Sequence, residues 1–227
     1  MAEARHDLGR SLAAEALGTG ALVATVVGSG IMAERLTGDP ALALLANGLA
    51  TGAMLVVLIT LFGPISGAHL NPAVTLVLAL RDKWQPRRAL VYMGSQMAGG
   101  LAGTMLAQAM FAEPILELAT STRSGAGLWL AEGVAGFGLV GTILIGASVA
   151  RPALAWLVGL YITAAYWFTA STSFANPAVT VARAFTDSFS GIRPGDVPGF
   201  IVAQMAGALL ALLLTGWLLR PLEKQTQ

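Results

Sequence analysis

The chain has 227 residues, of which 56% are hydrophobic and 11% charged, with a formal net charge of +1 and a mean hydropathy of +0.72. A soluble domain carries about 25% charged residues, so this composition favours an integral membrane protein. There is no cysteine and there are two histidines, which excludes disulfides and thiol chemistry and disfavours a metal site. The near-neutral charge also disfavours nucleic acid as a partner.

Apolar segments of membrane-spanning length follow one another along the chain. Each is close to the ~20 residues that a helix needs to cross a bilayer. We interpret the first as a retained span and not a signal peptide, because many further spans follow it. The six predicted spans are 8–33, 40–62, 87–111, 128–150, 152–171 and 197–220. Two shorter apolar segments, 71–80 and 176–185, are too short to span.

The two halves of the chain resemble each other. "YMGSQMAGGLAG" (92–103) is similar to "FIVAQMAGALLA" (200–211), and "LAAEALGTGALV" (12–23) is similar to "WLAEGVAGFGLV" (129–140). Each half, about 8–111 and 128–220, therefore holds three spans, and the second half enters the membrane from the opposite side. This predicts an all-α inverted 3+3 repeat in one domain over 1–227, with its site near the membrane midplane.

Basic residues predict the orientation. With the N-terminus in the cytoplasm, nine Lys and Arg residues lie inside and four outside, which satisfies the positive-inside rule. The inner set is Arg5, Arg10, Arg81, Lys83, Arg87, Arg88, Arg151, Arg220 and Lys224. The outer set is Arg35, Arg123, Arg183 and Arg193. Both termini are then cytoplasmic.

Both short segments begin with the same triplet, Asn71-Pro72-Ala73 and Asn176-Pro177-Ala178. Asn is a strong N-cap residue and Pro is favoured at the first helical position, so each triplet predicts the start of a half-helix. Non-helical backbone survives in a membrane only when it is buried in protein or lines a wet cavity. We therefore expect two re-entrant half-helices whose positive ends meet at a pore and disfavour protons and cations. The Asn amide groups remain to donate hydrogen bonds into that pore.

The duplicated triplet, with "SGAHLNPAVT" (66–75), resembles the major intrinsic protein family, the aquaporins and aquaglyceroporins, over essentially the whole chain. The resemblance implies six tilted spans, two half-helices, one pore per subunit and a homotetramer in membrane lipid. It also implies a ladder of carbonyl groups along one pore wall, from 67–69 and 173–175.

The chain departs from the family after the second triplet. Typical members have an arginine there, which forms a narrow outer filter with an aromatic or histidine wall, whereas this chain has Val179. Family spacing places the other filter positions at Thr51, Ala164 and Ser173. All four residues are small or short, so the resemblance implies a wide and mildly polar filter.

An arginine does occur one helical turn further on, at Arg183. One interpretation places it in the outer vestibule, where it attracts acidic solutes. The other has it reaching the membrane interface or pairing with Asp187. The stretch "NPAVTVARAFTD" resembles a bacterial subgroup associated with arsenic resistance, which implies metalloid or organoarsenical solutes.

Other polar residues fall inside the predicted spans. Glu15 and Glu132 occupy matching places in the two halves, and either support the re-entrant loops through hydrogen bonds, as the family implies, or relay protons in a transporter. Gln96 and Gln204 also match and are expected to join helices or loops. The resemblance places His69 at the inner lumen, with loop packing as the alternative.

These residues favour a passive channel that needs no cofactor and performs no catalysis. The expected solutes are glycerol-like polyols, arsenite, methylated arsenicals and water, and the expected location is a bacterial inner membrane. A water-selective channel and a coupled secondary transporter are the alternatives. Inverted repeats and broken helices serve transporters as well as channels.

Overall fold

The computed structural model describes residues 7–220, so Arg5 and Lys224 of the predicted inner set lie outside the described residues. Eight α-helices occur within that range. They are α1 (Leu8–Leu36), α2 (Pro40–Ser66), α3 (Pro72–Arg81), α4 (Pro86–Met110), α5 (Ala126–Val149), α6 (Leu154–Phe168), α7 (Pro177–Ala182) and α8 (Val197–Leu218).

Hydrogen bonds between helix ends define two ends of the molecule. The Ser11 hydroxyl at the start of α1 donates to the Ile65 carbonyl near the end of α2, at 3.2 Å. Arg35 at the end of α1 donates to the Phe111 carbonyl that follows α4. We call the end with Ser11 and Ile65 the near end, and the end with Arg35 and Phe111 the far end. Thus α1 runs antiparallel to α2 and parallel to α4.

The long helices differ in length and hydropathy, the two properties that identify a membrane span. Four segments of the described chain are long and apolar enough to cross a bilayer: Leu8–Leu36, Pro40–Ser66, Ala126–Val149 and Pro194–Leu218. Helix α4 falls outside this set and carries Arg87, Arg88 and buried glutamines. Helix α6 has 15 residues, which is about 22 Å and shorter than the bilayer core.

Glycines allow two pairs of helices to cross closely, one pair in each half. In α4, a Cβ on Gly99 would overlap the Ala16 backbone of α1, and one on Gly103 would overlap Gly20. In α8, a Cβ on Gly207 would overlap the backbone of Gly133 and Phe137 in α5. Small residues at helix crossings let the two backbones make direct contact. The same kind of crossing therefore recurs in both halves.

We predict that Gly99→Ala destabilises the protein by roughly 1–3 kcal/mol, the usual range for overpacking, because the methyl group must displace backbone and not a flexible side chain. Gly94→Ala in the same helix is the matched control, since nothing lies within 4 Å of its added Cβ. Thermal unfolding in detergent measures both variants. Equal unfolding temperatures for the two would contradict the close crossing.

The predicted fold, with six crossing helices and two half-helices, is confirmed. The half-helices α3 and α7 each begin at the proline of a triplet, so the sequence located both starts correctly. The second is shorter than the predicted 176–185, because the α-helix ends at Ala182 and continues as a 3-10 turn, Arg183–Phe185. That change of winding helps to set the direction of the Arg183 side chain.

Candidate functional site

The two asparagines of the triplets join the half-helices at the centre of the molecule. The Asn71 side-chain oxygen accepts from Ala73 N at 2.9 Å, and that of Asn176 accepts from Ala178 N at 2.9 Å. Asn71 Nδ2 donates to the Ala175 carbonyl of the other half at 2.8 Å. Asn176 Nδ2 donates to the Leu70 carbonyl at 2.8 Å. The expectation that the amide groups remain free is corrected. Each amide donates one of its two N–H groups to the carbonyl of the other half and has one N–H group left.

Glu15 of α1 binds the re-entrant segment that precedes α3. Its carboxylate is fully buried and accepts from His69 N at 2.9 Å, Leu70 N at 2.7 Å and the Ser66 hydroxyl at 2.6 Å. Gln96 of α4 donates to the same carboxylate at 2.7 Å and to Thr75 of α3 at 2.8 Å. A single acid therefore connects two crossing helices to the re-entrant segment.

Glu132 of α5 has the same arrangement in the second half. It is fully buried and accepts from Phe174 N and Ala175 N, each at 2.9 Å. Gln204 of α8 donates to it at 2.6 Å and to Thr180 of α7 at 2.8 Å. The two carboxylates bind backbone N–H groups of the re-entrant segments. The carbonyl groups on the opposite side of each segment therefore face away from the carboxylate.

The re-entrant segments contain non-glycine residues with left-handed backbone angles at matching places. Ala68 and Leu70 have φ of 47° and 50°, and Ser173 and Ala175 have φ of 51° and 48°. Each such residue costs about 1–3 kcal/mol and persists only where its surroundings enforce it. The bonds to Glu15 and Glu132 supply that enforcement.

A narrow central cavity of about 80 Å³ lies between the helices and is lined by both asparagines and both re-entrant segments. Four helices supply an apolar wall, whose residues include Leu22, Val26, Leu55, Ile59, Leu139, Ile143, Val158 and Ile162. The polar wall comes from 67–71 and from Ser173, Phe174 and Asn176. The cavity lining thus has an aliphatic part and a hydrogen-bonding part.

His69 lines the cavity and also packs in the near-end loop, so both interpretations describe part of its surroundings. Its Nδ1 lies 3.1 Å from the Thr75 hydroxyl. Its ring stacks on Trp84 with centroids 5.3 Å apart, and the Arg88 guanidinium lies 4.0 Å from the centroid of that indole. The ring is thereby held in place at the cavity wall.

Of the positions assigned by family spacing, Thr51, Ser173 and Val179 line the cavity and Ala164 does not. Ala164 is exposed on α6, so its assignment to the filter is corrected. Tyr166 is the α6 side chain at this level, and its hydroxyl lies 3.2 Å from that of Thr51. Two residues along a helix are a rotation of about 200°, so positions 164 and 166 point to nearly opposite sides.

Arg183 also lines the cavity and is 2% exposed. Its guanidinium carbon lies 3.4 Å from the centroid of the Phe174 ring, and its Nε donates to the Ser190 carbonyl. Asp187 instead accepts from Thr120, at 2.9 Å from the backbone N, so the Arg183–Asp187 pair is not formed. The expectation of an entirely small-residue filter is therefore wrong for this part of the cavity, where Tyr166, Phe174 and Arg183 all contribute.

Sequence reasoning missed Tyr166 as a lining residue, and it placed the carbonyl of Phe174 at the pore wall but not its ring. Phe174 follows directly after Ser173. Family spacing assigns only Ser173 of this segment to the filter, so it gives no role to the side chain of Phe174. An aromatic ring nine residues before an arginine carries no periodic signal. Only the reversal of the chain between the re-entrant segment and α7 brings Phe174 and Arg183 together.

Comparisons with known proteins agree with this architecture. The family model described as "Major intrinsic protein" matches residues 3–150 and 134–227. Aquaglyceroporin AqpS of Rhizobium meliloti (strain 1021) is 61% identical over 223 residues, which is 97% of this chain and 96% of that protein. The X-ray structure of the aquaglyceroporin from Plasmodium falciparum superposes with a TM-score of 0.68 at 22% identity, covering 92% of this chain and 95% of that one. This last likeness bears on the fold alone.

Proposed function

The chain belongs to the major intrinsic protein family, a family of membrane channels, and from this premise we propose that its central cavity is a passive pore for glycerol-like polyols, arsenite, methylated arsenicals and water. The relative AqpS is itself described as an aquaglyceroporin, which supports the polyol part of the proposal.

The observation that carries the proposal is the two-sided wall of the cavity. Polyols have a hydrocarbon edge and a hydroxyl edge, and both edges must be satisfied when the solute leaves water. The aliphatic side chains of α1, α2, α5 and α6 accept the first edge. The asparagine N–H groups and the carbonyls of the two re-entrant segments bind the second. A coupled transporter would require a second arrangement of the same segments, whereas here every segment is bonded to a buried carboxylate.

The proposed filter consists of Thr51, Ser173 and Val179, with Tyr166 and Arg183 completing its wall. Val179 leaves room that an arginine at the same position would fill. Arsenite is an uncharged trihydroxide with a shape similar to glycerol, so the same wall suits it. Methylated arsenicals add a methyl group, which the aliphatic side of the cavity accommodates.

Stopped-flow light scattering on proteoliposomes under an inward glycerol gradient tests the proposal, with empty liposomes as the control. Rapid reswelling is the expected result, and arsenite then replaces glycerol in the same assay. Fast water shrinkage without reswelling would contradict the proposal and favour the water-selective alternative.

A pair of variants tests which side of α6 borders the pore. Ala164→Phe is expected to leave glycerol flux within about twofold of the parent, because the residue is exposed on the outer surface of α6. Thr51→Phe adds a ring inside the cavity and is expected to reduce the flux at least about tenfold, since one ring excludes the solute from a narrow level. Reswelling rates measure both variants. A strong block by Ala164→Phe would contradict the position of Ala164 outside the cavity wall.

Assembly and orientation follow the family and the distribution of charge. We propose a homotetramer in a bacterial inner membrane, with the near end cytoplasmic. Arg81, Arg87 and Arg88 cluster around the loop between α3 and α4, which places these charges at the near end and supports that orientation. Accessibility of single cysteines introduced on either side, in this cysteine-free chain, measures the orientation directly.

A further inference from the structure

Two buried polar groups on the cavity wall have no partner in the structure. Arg183 is 2% exposed, and its Nη1 forms no hydrogen bond. Ser173 is 3% exposed, and its hydroxyl forms none either. Buried polar groups are nearly always satisfied, so two such groups on one cavity wall indicate a ligand that binds there.

No carboxylate forms an ion pair with Arg183. Within residues 7–220 none of the ion pairs includes it, and Asp187 is bonded to Thr120. Glu132 of α5 attracts Arg183 through space, but its carboxylate binds the N–H side of Phe174 and Ala175 and does not line the cavity. A second cation, Arg123, lies 5.3 Å from the centroid of the Phe174 ring that Arg183 covers. Two guanidinium groups against the one carboxylate of Glu132 leave a net positive charge at this level of the cavity.

Thr51 of α2 and Tyr166 of α6 line the same cavity and supply acceptors, with no hydroxyl hydrogen left unused. Thr51 donates its single hydroxyl hydrogen to the Asn47 carbonyl at 2.8 Å. In the Thr51–Tyr166 pair, at 3.2 Å, Tyr166 is consequently the donor. Both hydroxyl hydrogens are then in use, and the Tyr166 oxygen keeps lone pairs that accept a hydrogen bond. The cavity lining thus includes a charged donor at Arg183, a hydroxyl at Ser173 and an acceptor at Tyr166.

From these groups we propose that Arg183, Ser173 and Tyr166 form a binding site for small oxyacid monoanions that keep one acidic hydroxyl. The ionised oxygen accepts from Arg183 Nη1 and the Ser173 hydroxyl. The remaining acid hydroxyl donates to the Tyr166 oxygen. A fully ionised acid lacks that hydrogen, and a neutral polyol accepts from the guanidinium without the attraction between opposite charges. The inference rests on the proposed channel and adds a charged class of solute to it.

The test uses reconstituted proteoliposomes and two probes of nearly equal shape. In mildly acidic buffer, methylphosphonate is a monoanion with one hydroxyl, whereas methanesulfonate is a monoanion with none. Uptake is measured under a potassium diffusion potential that is positive inside. We expect methylphosphonate uptake to follow the potential and to exceed methanesulfonate uptake. Uptake that does not depend on the membrane potential would show that the protonated, neutral acid crosses. Equal uptake of the two probes would show that Tyr166 accepts no hydrogen bond from the solute. Either result overturns the proposal.

Variants locate the site. Arg183→Gln is expected to reduce the ratio of methylphosphonate uptake to glycerol flux roughly tenfold, in line with the loss of a charge-assisted hydrogen bond. Arg183→Lys keeps the charge and is expected to lie between the parent and the glutamine variant. Arg87→Gln removes an exposed arginine outside the cavity lining and is the matched control. Glycerol flux without potential-driven anion flux in the parent protein would refute this site and leave the proposed channel standing, whereas loss of both would refute the channel.

Discussion

Glu132→Leu is expected to abolish glycerol flux through reconstituted protein, to less than about a tenth of the parent value. The carboxylate accepts from Phe174 N, Ala175 N and Gln204 Nε2, all of them buried. Leucine leaves three donors without an acceptor, and each stranded buried donor costs about 1–3 kcal/mol. That is a large part of the 5–15 kcal/mol by which an ordinary domain is stable. The left-handed residues Ser173 and Ala175 lose their support, and the segment collapses into the cavity.

Glu132→Gln separates hydrogen bonding from mere filling of space. The amide keeps one acceptor oxygen but presents an NH2 group to the second backbone donor, so we expect a partial loss of flux between that of leucine and the parent. Glu117→Leu is the control, because this acid is exposed in the far-end loop. Proton-coupled uptake that Glu132→Gln eliminates, with glycerol flux intact, would contradict the structural role and favour the proton relay.

Val179→Arg is expected to reduce glycerol flux at least about tenfold and water flux much less. Val179 is 4% exposed, lines the cavity and lies one turn from Arg183, which lines it too. A second guanidinium there fills space at the level of Thr51 and Ser173, and it repels the first across a poorly solvated gap. A bulky polyol is excluded before water is, because the smaller solute tolerates the narrower opening.

Val179→Thr is the companion variant, since it adds a hydroxyl at nearly constant volume and no charge. We expect it to retain most of the glycerol flux, which would assign the effect of arginine to size and charge. Reswelling in glycerol and shrinkage in sucrose measure the two solutes in the same vesicles. Equal losses of water and glycerol flux in Val179→Arg would reject position 179 as part of the filter.

The sequence predicted the backbone architecture closely because the relevant forces act along the chain. Membrane spans follow from apolar length, and helix starts follow from the Asn-Pro pair, which caps a helix whatever surrounds it. The observed starts of α3 and α7 at Pro72 and Pro177 agree with that logic. The short α6 was overestimated, since apolar residues of 152–171 continue into the re-entrant segment beyond Phe168.

The cavity wall was less predictable, because it depends on the rotation of each helix about its own axis. Position 164 was assigned by counting, yet the α6 side chain beside Thr51 belongs to Tyr166. Assigning position 166 in place of 164 changes neither the length nor the hydropathy of the span, so composition does not distinguish the two assignments. The phase of α6 is instead set by its packing against α2, where a Cβ on Gly52 would overlap Thr163.

By itself, the sequence determined that this chain crosses a membrane as an inverted repeat with two half-helices, since hydrophobic length, helix capping and internal similarity are local properties of the chain. Only the tertiary structure decided what the duplicated acids bind and where Arg183 points. Those outcomes depend on segments distant in sequence: Glu132 meets residues 174 and 175, Asn71 meets Ala175, and Arg183 meets the ring of Phe174. The hydrogen bonds among these contacts satisfy polar groups that the membrane interior would otherwise leave unpaired, which is the physical reason that the two halves close around one cavity.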